Sequence, residues 1–307
     1  MAITIDKRSK RCISYSEFAE YLTENIDMTD DNSVLEAAES LSAFGNNKEF
    51  ALELLNKEVA QAALAGQTAF VSHHSLIVGR GVSKRGGRGF AVRMNFWPTL
   101  AETSLLKSHR SNVEHTYSYS YPHDHNFTLL TTGIHGPGYE TELYERPIDR
   151  PLIPGEKAGL KFLEKTRLSE GRVIFFRKSQ DVHIQIPPEQ LSISLNLLPE
   201  QHSDANTEQY CFDVHNDVTT DYILGSGITG RVTLVRTMAE MGIKEAVPVL
   251  FDILSGNEVA RVRLAALNAL IKLAPDDTEY FYSTAGRFDA NMVKNASSLS
   301  LHGEMHV

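Results

Sequence analysis

The chain of 307 residues is 42% apolar and 22% charged, enough to bury a sizeable core and to fill about two domains at roughly 150 residues each. Its formal net charge of -9 and pI near 5.7 exclude a chain built to live on nucleic-acid phosphates or anionic lipid, since both need clustered cations. Cys12 and Cys211 form no Cys-x-x-Cys pair, which excludes a disulfide framework or zinc knuckle; the charged N-terminus and the lack of a long apolar run predict a cytoplasmic protein with no membrane span.

From Ser14 to Ala65 apolar residues recur at helical spacing, with Phe18, Tyr21 and Leu22, then Val34, Ala37, Ala38 and Leu41, then Phe50, Leu54 and Leu55. Ser14 and Ser16 ahead of acidic residues predict a start, and Gly45-Asn46-Asn47 and Gly66 predict stops. A helical segment over residues 1–66, packed on the neighbouring domain, is the expectation. From Thr68 to about Leu198 the texture changes to short apolar or alternating runs: Phe70–Val78, Phe90–Trp97, Phe127–Ile134, Tyr139–Tyr144, Arg172–Phe176, Val182–Ile186 and Leu191–Leu198. Seven strands at such spacing predict a sandwich or closed barrel over residues 67–200, with the glycine-rich Arg80–Arg88 as a solvated or substrate-covering loop. Helical periodicity returns in Gly230–Met241, Glu245–Leu254 and Glu258–Leu273, giving a second helical segment over residues 227–290, and the polar stretch from Asn291 to Val307 is expected to fray.

His123 and His125, one residue apart, face the same way on a strand, together with Phe127 and Leu129. If that face is core, each imidazole needs a partner for both ring nitrogens. A shared metal ion is one such partner, and satisfied core histidines are the alternative. His183 opens the strand His183–Ile186, 58 residues after His125. In Phe90–Trp97 the residues Arg93, Asn95 and Trp97 alternate with apolar ones, so Arg93 and Asn95 either line a cavity, where the guanidinium would bind a carboxylate or amide of a substrate, or face solvent. Gln185 and Arg177 stand under the same two readings, as do Ser192, Ser194 and Asn196, which alternate with leucines and isoleucine. A hairpin closed at Gly136-Pro-Gly138 would pair Ile134 with Tyr139 and bring Glu140, Glu142 and Tyr144 to the histidine face, Tyr144 as a substrate contact and either glutamate as a further ligand given a bulge or different register. His73, His74, His109, His115, His135, His202 and His215 read as surface or turn residues.

The pair His123-x-His125, the turn at Ser169-Glu-Gly171, the strand to Phe176 and the returning His183 are together similar to the cupin superfamily over about residues 90–198. The resemblance implies an α+β chain with a cupin-like jelly-roll barrel. Its metal ligands would be His123, His125 and His183, holding Fe(II) or another divalent ion, in an oxygenase that oxidises or hydroxylates an amino-acid-like or carrier-bound substrate. Where cupins place a glutamate after the second histidine this chain has Leu129 and Leu130, and Arg177-Lys-Ser-Gln180 replaces the usual Pro-x-Gly. In the related 2-oxoglutarate oxygenases a carboxylate stands where His125 does, and an arginine follows the last histidine; Ser192–Asn196 has none, so use of 2-oxoglutarate is left open. A three-histidine face, as in thiol-dioxygenase-like cupins, is what survives. Ala246–Leu254 and Val262–Leu273 resemble HEAT repeats over about 50 residues, which implies a protein partner. The rival readings are a non-catalytic metal- or ligand-binding module with a protein-interaction tail, and a chain whose histidines are structural.

Overall fold

Ser14 starts the first helix as its composition predicts. Its hydroxyl accepts the Glu17 N–H while the Glu17 carboxylate accepts the Ser14 N–H, a capping box that opens α1 (Tyr15–Asn25). Helices α2 (Asp31–Glu36), α3 (Ala38–Gly45) and α4 (Lys48–Ala65) come next, and α4 stops at Gly66, whose φ of 62° suits glycine. The structure is a computed structural model that describes residues 2–6, 8–66, 68–104, 116–148, 151–200, 206–223, 227–256 and 258–288. His109, His115, His202 and the stretch from Asn291 onward lie outside the described residues. The chain divides into two units, Met1–Asp204 with Gln209–Tyr222, and Ala205–Glu208 with Ile223–Val307.

The first unit holds two antiparallel sheets. In chain order its strands are β1 (Ile3–Ile5), β2 (Phe70–Ser72), β3 (Ser75–Val82), β4 (Gly89–Trp97), β5 (His123–Asp124), β6 (Leu129–His135), β7 (Glu140–Glu145), β8 (Lys161–Arg167), β9 (Val173–Phe176), β10 (Asp181–Ile186), β11 (Ser192–Glu200), β12 (Tyr210–Asp213) and β13 (Val218–Tyr222), with the short helix α5 (Leu100–Ser104) after β4. The sheets are ordered β1-β9-β6-β11-β4-β3-β2 and β13-β12-β5-β10-β7-β8. Within them, β4 to β11 contribute β9-β6-β11-β4 to one sheet and β5-β10-β7-β8 to the other, the strand order of a jelly roll.

This order corrects two expectations. The segment from His123 to Ile134 is not one strand: β5 belongs to the six-stranded sheet and β6 to the seven-stranded one, so the chain crosses between sheets at Asn126–Phe127. Nor does Gly136-Pro-Gly138 close a hairpin. Both glycines have positive φ (76° and 79°), but the turn carries the chain from β6 across to β7 in the opposite sheet, and β7 pairs with β10 and β8 instead.

The seven-stranded sheet is covered on both faces. Outward, Phe90, Val92 and Met94 of β4 and Leu195 and Leu197 of β11 pack with Phe18, Leu22, Leu41 and Phe44 of the N-terminal helices. α3 lies so close to β6 that a Cβ on Gly45 would sit 3.0 Å from the Ile134 side chain. Inward, Trp97, Leu129, Ile174 and Phe176 meet Leu143 of the other sheet and Tyr119 and Tyr139, filling much of the space between the sheets. The second unit is helical, with α6 (Gly227–Glu240), α7 (Val247–Ser255), α8 (Ala260–Leu273) and α9 (Thr278–Phe288). Val262, Ala266, Ala269, Leu270 and Leu273 form the buried stripe of α8, against Ile228, Leu250, Leu254 and Phe281 of its neighbours. Among the described residues no helix is long and apolar enough to cross a membrane.

Candidate metal centre

His123 and His183 stand directly opposite each other on the antiparallel strands β5 and β10. Cross-strand neighbours on one face have Cβ atoms about 4.5–5.5 Å apart, and here the two rings lie 4.4 Å apart by centroid, with Nε2 facing Nε2 at 3.1 Å. His125 comes just past the end of β5. Its ring centroid is 5.2 Å from that of His123 and 4.8 Å from that of His183, and its carbonyl is held by the Ser179 N–H at 2.7 Å. One candidate ligand atom from each of the three lies within 4.8 Å of the others. The three side chains are only 5%, 8% and 2% exposed, in the order His123, His125, His183.

Burial holds all three imidazoles below the ordinary histidine pKa, and their mutual proximity pushes His125 and His183 further down, so the cluster is neutral at pH 7. The Tyr121 carbonyl accepts from His123 Nδ1 at 2.7 Å, which fixes the tautomer and leaves the Nε2 lone pair pointing into the cluster. The Nδ1 atoms of His125 and His183 are buried without a partner. These observations fit a metal ion. Two nitrogens each about 2.0–2.1 Å from one ion lie about 2.9–3.4 Å apart at right-angled to tetrahedral geometry, a range that contains the 3.1 Å between His123 and His183. A three-histidine site of this kind could bind a metal, held by His123, His125 and His183.

The surroundings anchor the cluster from both sides. Asp124, between the two histidines, points to the opposite face of β5, where its carboxylate accepts Arg146 Nε and Nη2 (3.3 and 3.2 Å) and the Tyr210 N–H (2.7 Å). The pair is fully buried, and desolvation pushes the Asp124 carboxyl up to about 7 against the pull of Arg146. On the cluster side, Phe127 stacks on His125 at 4.8 Å and Phe176 lies 4.8 Å from His183.

The other expected site residues divide by face. Arg93, Asn95 and Gln185 turn toward the space between the sheets. Asn95 accepts from the Ser75 hydroxyl at 3.0 Å, and Gln185, two residues beyond His183, hydrogen-bonds Tyr139. Arg93 acts electrostatically on His125 and His74. Ser194 accepts from Trp97 Nε1 at 3.0 Å and Asn196 accepts from Thr131 at 2.6 Å, so the polar set of β11 is also inward. Tyr144 is not on the histidine face: it packs with Val182 and Phe162 on the outer side, and its hydroxyl donates to Glu142. Glu140 and Glu142 share that outer side, where Glu140 pairs with Arg167 and Lys165; Thr141 and Leu143 are the inward residues of β7, with Leu143 opposite His183. Arg177 clamps a turn through Asp181 and Glu145. A groove of about 600 Å³ bordered by Thr4, Glu140, Lys165 and Arg172 also lies away from the histidines.

One inward residue escapes sequence reasoning. His74 lies in the turn between β2 and β3, as expected, but it turns inward: its ring lies 5.1 Å from Trp97 and 5.4 Å from Tyr117, its Nδ1 is buried without a partner, and burial with the nearby Arg93 pushes its pKa down to about 4. The only signal for it is its place immediately before the strand that pairs with β4. His73, His135 and His215 are exposed, as expected.

No family model matches the chain, and no curated protein matches it. Among solved structures it is similar to a salicylate 1,2-dioxygenase from Pseudoaminobacter salicylatoxidans (12% identity, TM-score 0.26, 49% of this chain and 31% of that one). A DMSP lyase from Ruegeria pomeroyi (13%, TM-score 0.24, 49% and 62%) and a mutant oxalate decarboxylase from Bacillus subtilis (10%, TM-score 0.24, 45% and 29%) are similar at the same level. The chain spans about a third of the dioxygenase's length. Likeness at these scores carries no argument about activity, and the metal assignment rests on the geometry of the three histidines.

Proposed function

We propose that the chain is a mononuclear non-haem metal enzyme, with Fe(II) as its ion, that oxidises a small-molecule or carrier-bound substrate with dioxygen. One observation carries the reading: three buried imidazoles, two from the paired strands β5 and β10 and one just past the end of β5, bring their ligand atoms within 4.8 Å of one another between the sheets. His123, His125 and His183 would hold the ion, which when bound supplies redox chemistry and coordination positions open to dioxygen and substrate. The Tyr121 carbonyl orients His123, and Phe127 and Phe176 exclude water from the flanks of the other two rings. The Asp124–Arg146 pair holds β5 in register so that the histidines stay aligned. In this reading the helices of the second unit recognise a protein partner, such as a carrier of the substrate.

The test is anaerobic reconstitution with ferrous ion, then oxygen-electrode measurements across a panel of small carboxylates, with and without 2-oxoglutarate. The expected result is about one ion per chain and oxygen uptake stimulated by at least one compound. Stoichiometric iron with no stimulated uptake from any of them would contradict the oxygenase and favour a binding module.

A further inference from the structure

Arg93 is a cation without a counter-ion. It sits on the inward face of β4, in parity with Asn95 and Trp97, and its Nε is sealed from solvent with no hydrogen-bond partner. Among the described residues no carboxylate pairs with it, and burial holds its pKa down at about 10. The acidic side chains on the histidines' own strands, β5 and β10, are already committed, Asp124 to Arg146 and Asp181 to Arg177. Glu140 and Glu142 lie on the outer side of β7.

The three histidines offer no negative charge to offset it. A divalent ion on them would bring two further positive charges into the same space, giving three with that of Arg93. An excess of this sign on half-buried groups is costly in a medium of low polarity and is relieved by an anion. A guanidinium presents paired donors that match a carboxylate, which makes that the anion of best fit. Beside Arg93, His74 keeps a buried, unpartnered Nδ1 and a ring held neutral, so it can hydrogen-bond a ligand without adding charge. With no free acidic group facing inward among the described residues, nothing there would receive an ammonium group. This weighs against an amino acid bound through both of its charges.

We infer that the space between the sheets binds a small organic carboxylate lacking an α-ammonium group, its carboxylate held by Arg93 and its polar flank by His74. The inference deepens the oxygenase reading and rests on it only for the place of the ion. The same unpaired cation makes a second, ligand-free prediction: replacing it by an apolar residue of similar length removes a strain instead of a support.

The experiment titrates the full chain, as purified and after chelation, with benzoate, pyruvate and 2-oxoglutarate, using benzamide as the uncharged control and tracking binding by calorimetry and by the shift in Tm. At least one carboxylate should bind the chelated wild type and raise its Tm while benzamide does not. Arg93→Met should weaken that binding by about tenfold or more, with Arg93→Lys falling between, and ligand-free Arg93→Met should melt no earlier than wild type. Three results would overturn the inference: no carboxylate binding, equal binding by Arg93→Met, or early melting of Arg93→Met with unimpaired binding by Arg93→Lys, the mark of a purely structural arginine. A wild type that binds carboxylate through Arg93 yet never holds metal would sink the metal reading and leave this one standing.

Discussion

The two faces of the seven-stranded sheet are made by the same strands and are both buried, yet one is apolar throughout while the other mixes an apolar cluster around Trp97 and Phe176 with a row of polar side chains. On the helix side β4 and β11 present Phe90, Val92, Met94, Leu195 and Leu197, a dry surface closed by Phe18 and Phe44. On the inner side the alternate positions of those strands present Arg93, Asn95, Ser194 and Asn196. A sheet buried on both faces is ordinarily apolar on both, since burying polar groups costs free energy unless each finds a partner. The polar positions of the inner face depart from that rule, and the unpartnered atoms of Arg93, His74, His125 and His183 lie in the space they face.

Substitutions on either face put this contrast at risk. The largest loss of stability is expected from Asp124→Ala, which strands the buried Arg146 charge and should cost about 3–5 kcal/mol in chemical denaturation; a loss below about 1 kcal/mol would mean the pair does not anchor β5. Met94→Ala, on the helix side, should cost about 2–5 kcal/mol through cavity formation while leaving metal content unchanged. The pH dependence comes next. His74, His123, His125 and His183 are held below their unfolded pKa, so the unfolded chain binds protons first as pH falls through about 6.5. Stability of the metal-free protein should thus fall on acidification from pH 7 to 5, by up to about 1.4 kcal/mol per pH unit for each such histidine, less the opposite contribution of Asp124, whose folded pKa of about 7 lies above its unfolded one. For His74 the window closes near its folded pKa of about 4, and a flat profile over that range would show that the rings are solvated. The smallest effect belongs to the neighbour of Met94 on the inner face: Asn95→Ala loses its hydrogen bond with Ser75 and should cost about 1 kcal/mol, less than Met94→Ala.

Much of this is legible in the sequence where a local period sets the answer. The capping signal at Ser14, the stop at Gly66 and the common face of His123 and His125 are properties of a few neighbouring residues, and they appear as expected. What a single chain does not display is which strands pair. Gly136-Pro-Gly138 is a turn under either topology, and reading it as a hairpin puts Glu140, Glu142 and Tyr144 on the wrong side, because one mistaken pairing flips a whole strand. β8, Lys161–Arg167, escapes detection because it is an edge strand whose charges protect its open side and hide its alternation. His74 escapes because it precedes its strand, where parity gives no guide, and Arg93 stands between two readings because both faces of β4 are covered.

Three imidazoles distant in the chain sharing one ion is the condition on which the metal reading stands. Its most direct test is the metal-to-protein ratio of anaerobically purified wild type against His123→Ala, His125→Ala and His183→Ala, each checked for cooperative unfolding. The expected ratio is near one for wild type and near zero in every folded variant. Unchanged metal content in the variants, or a wild type that holds no metal after anaerobic reconstitution with ferrous ion, would contradict it.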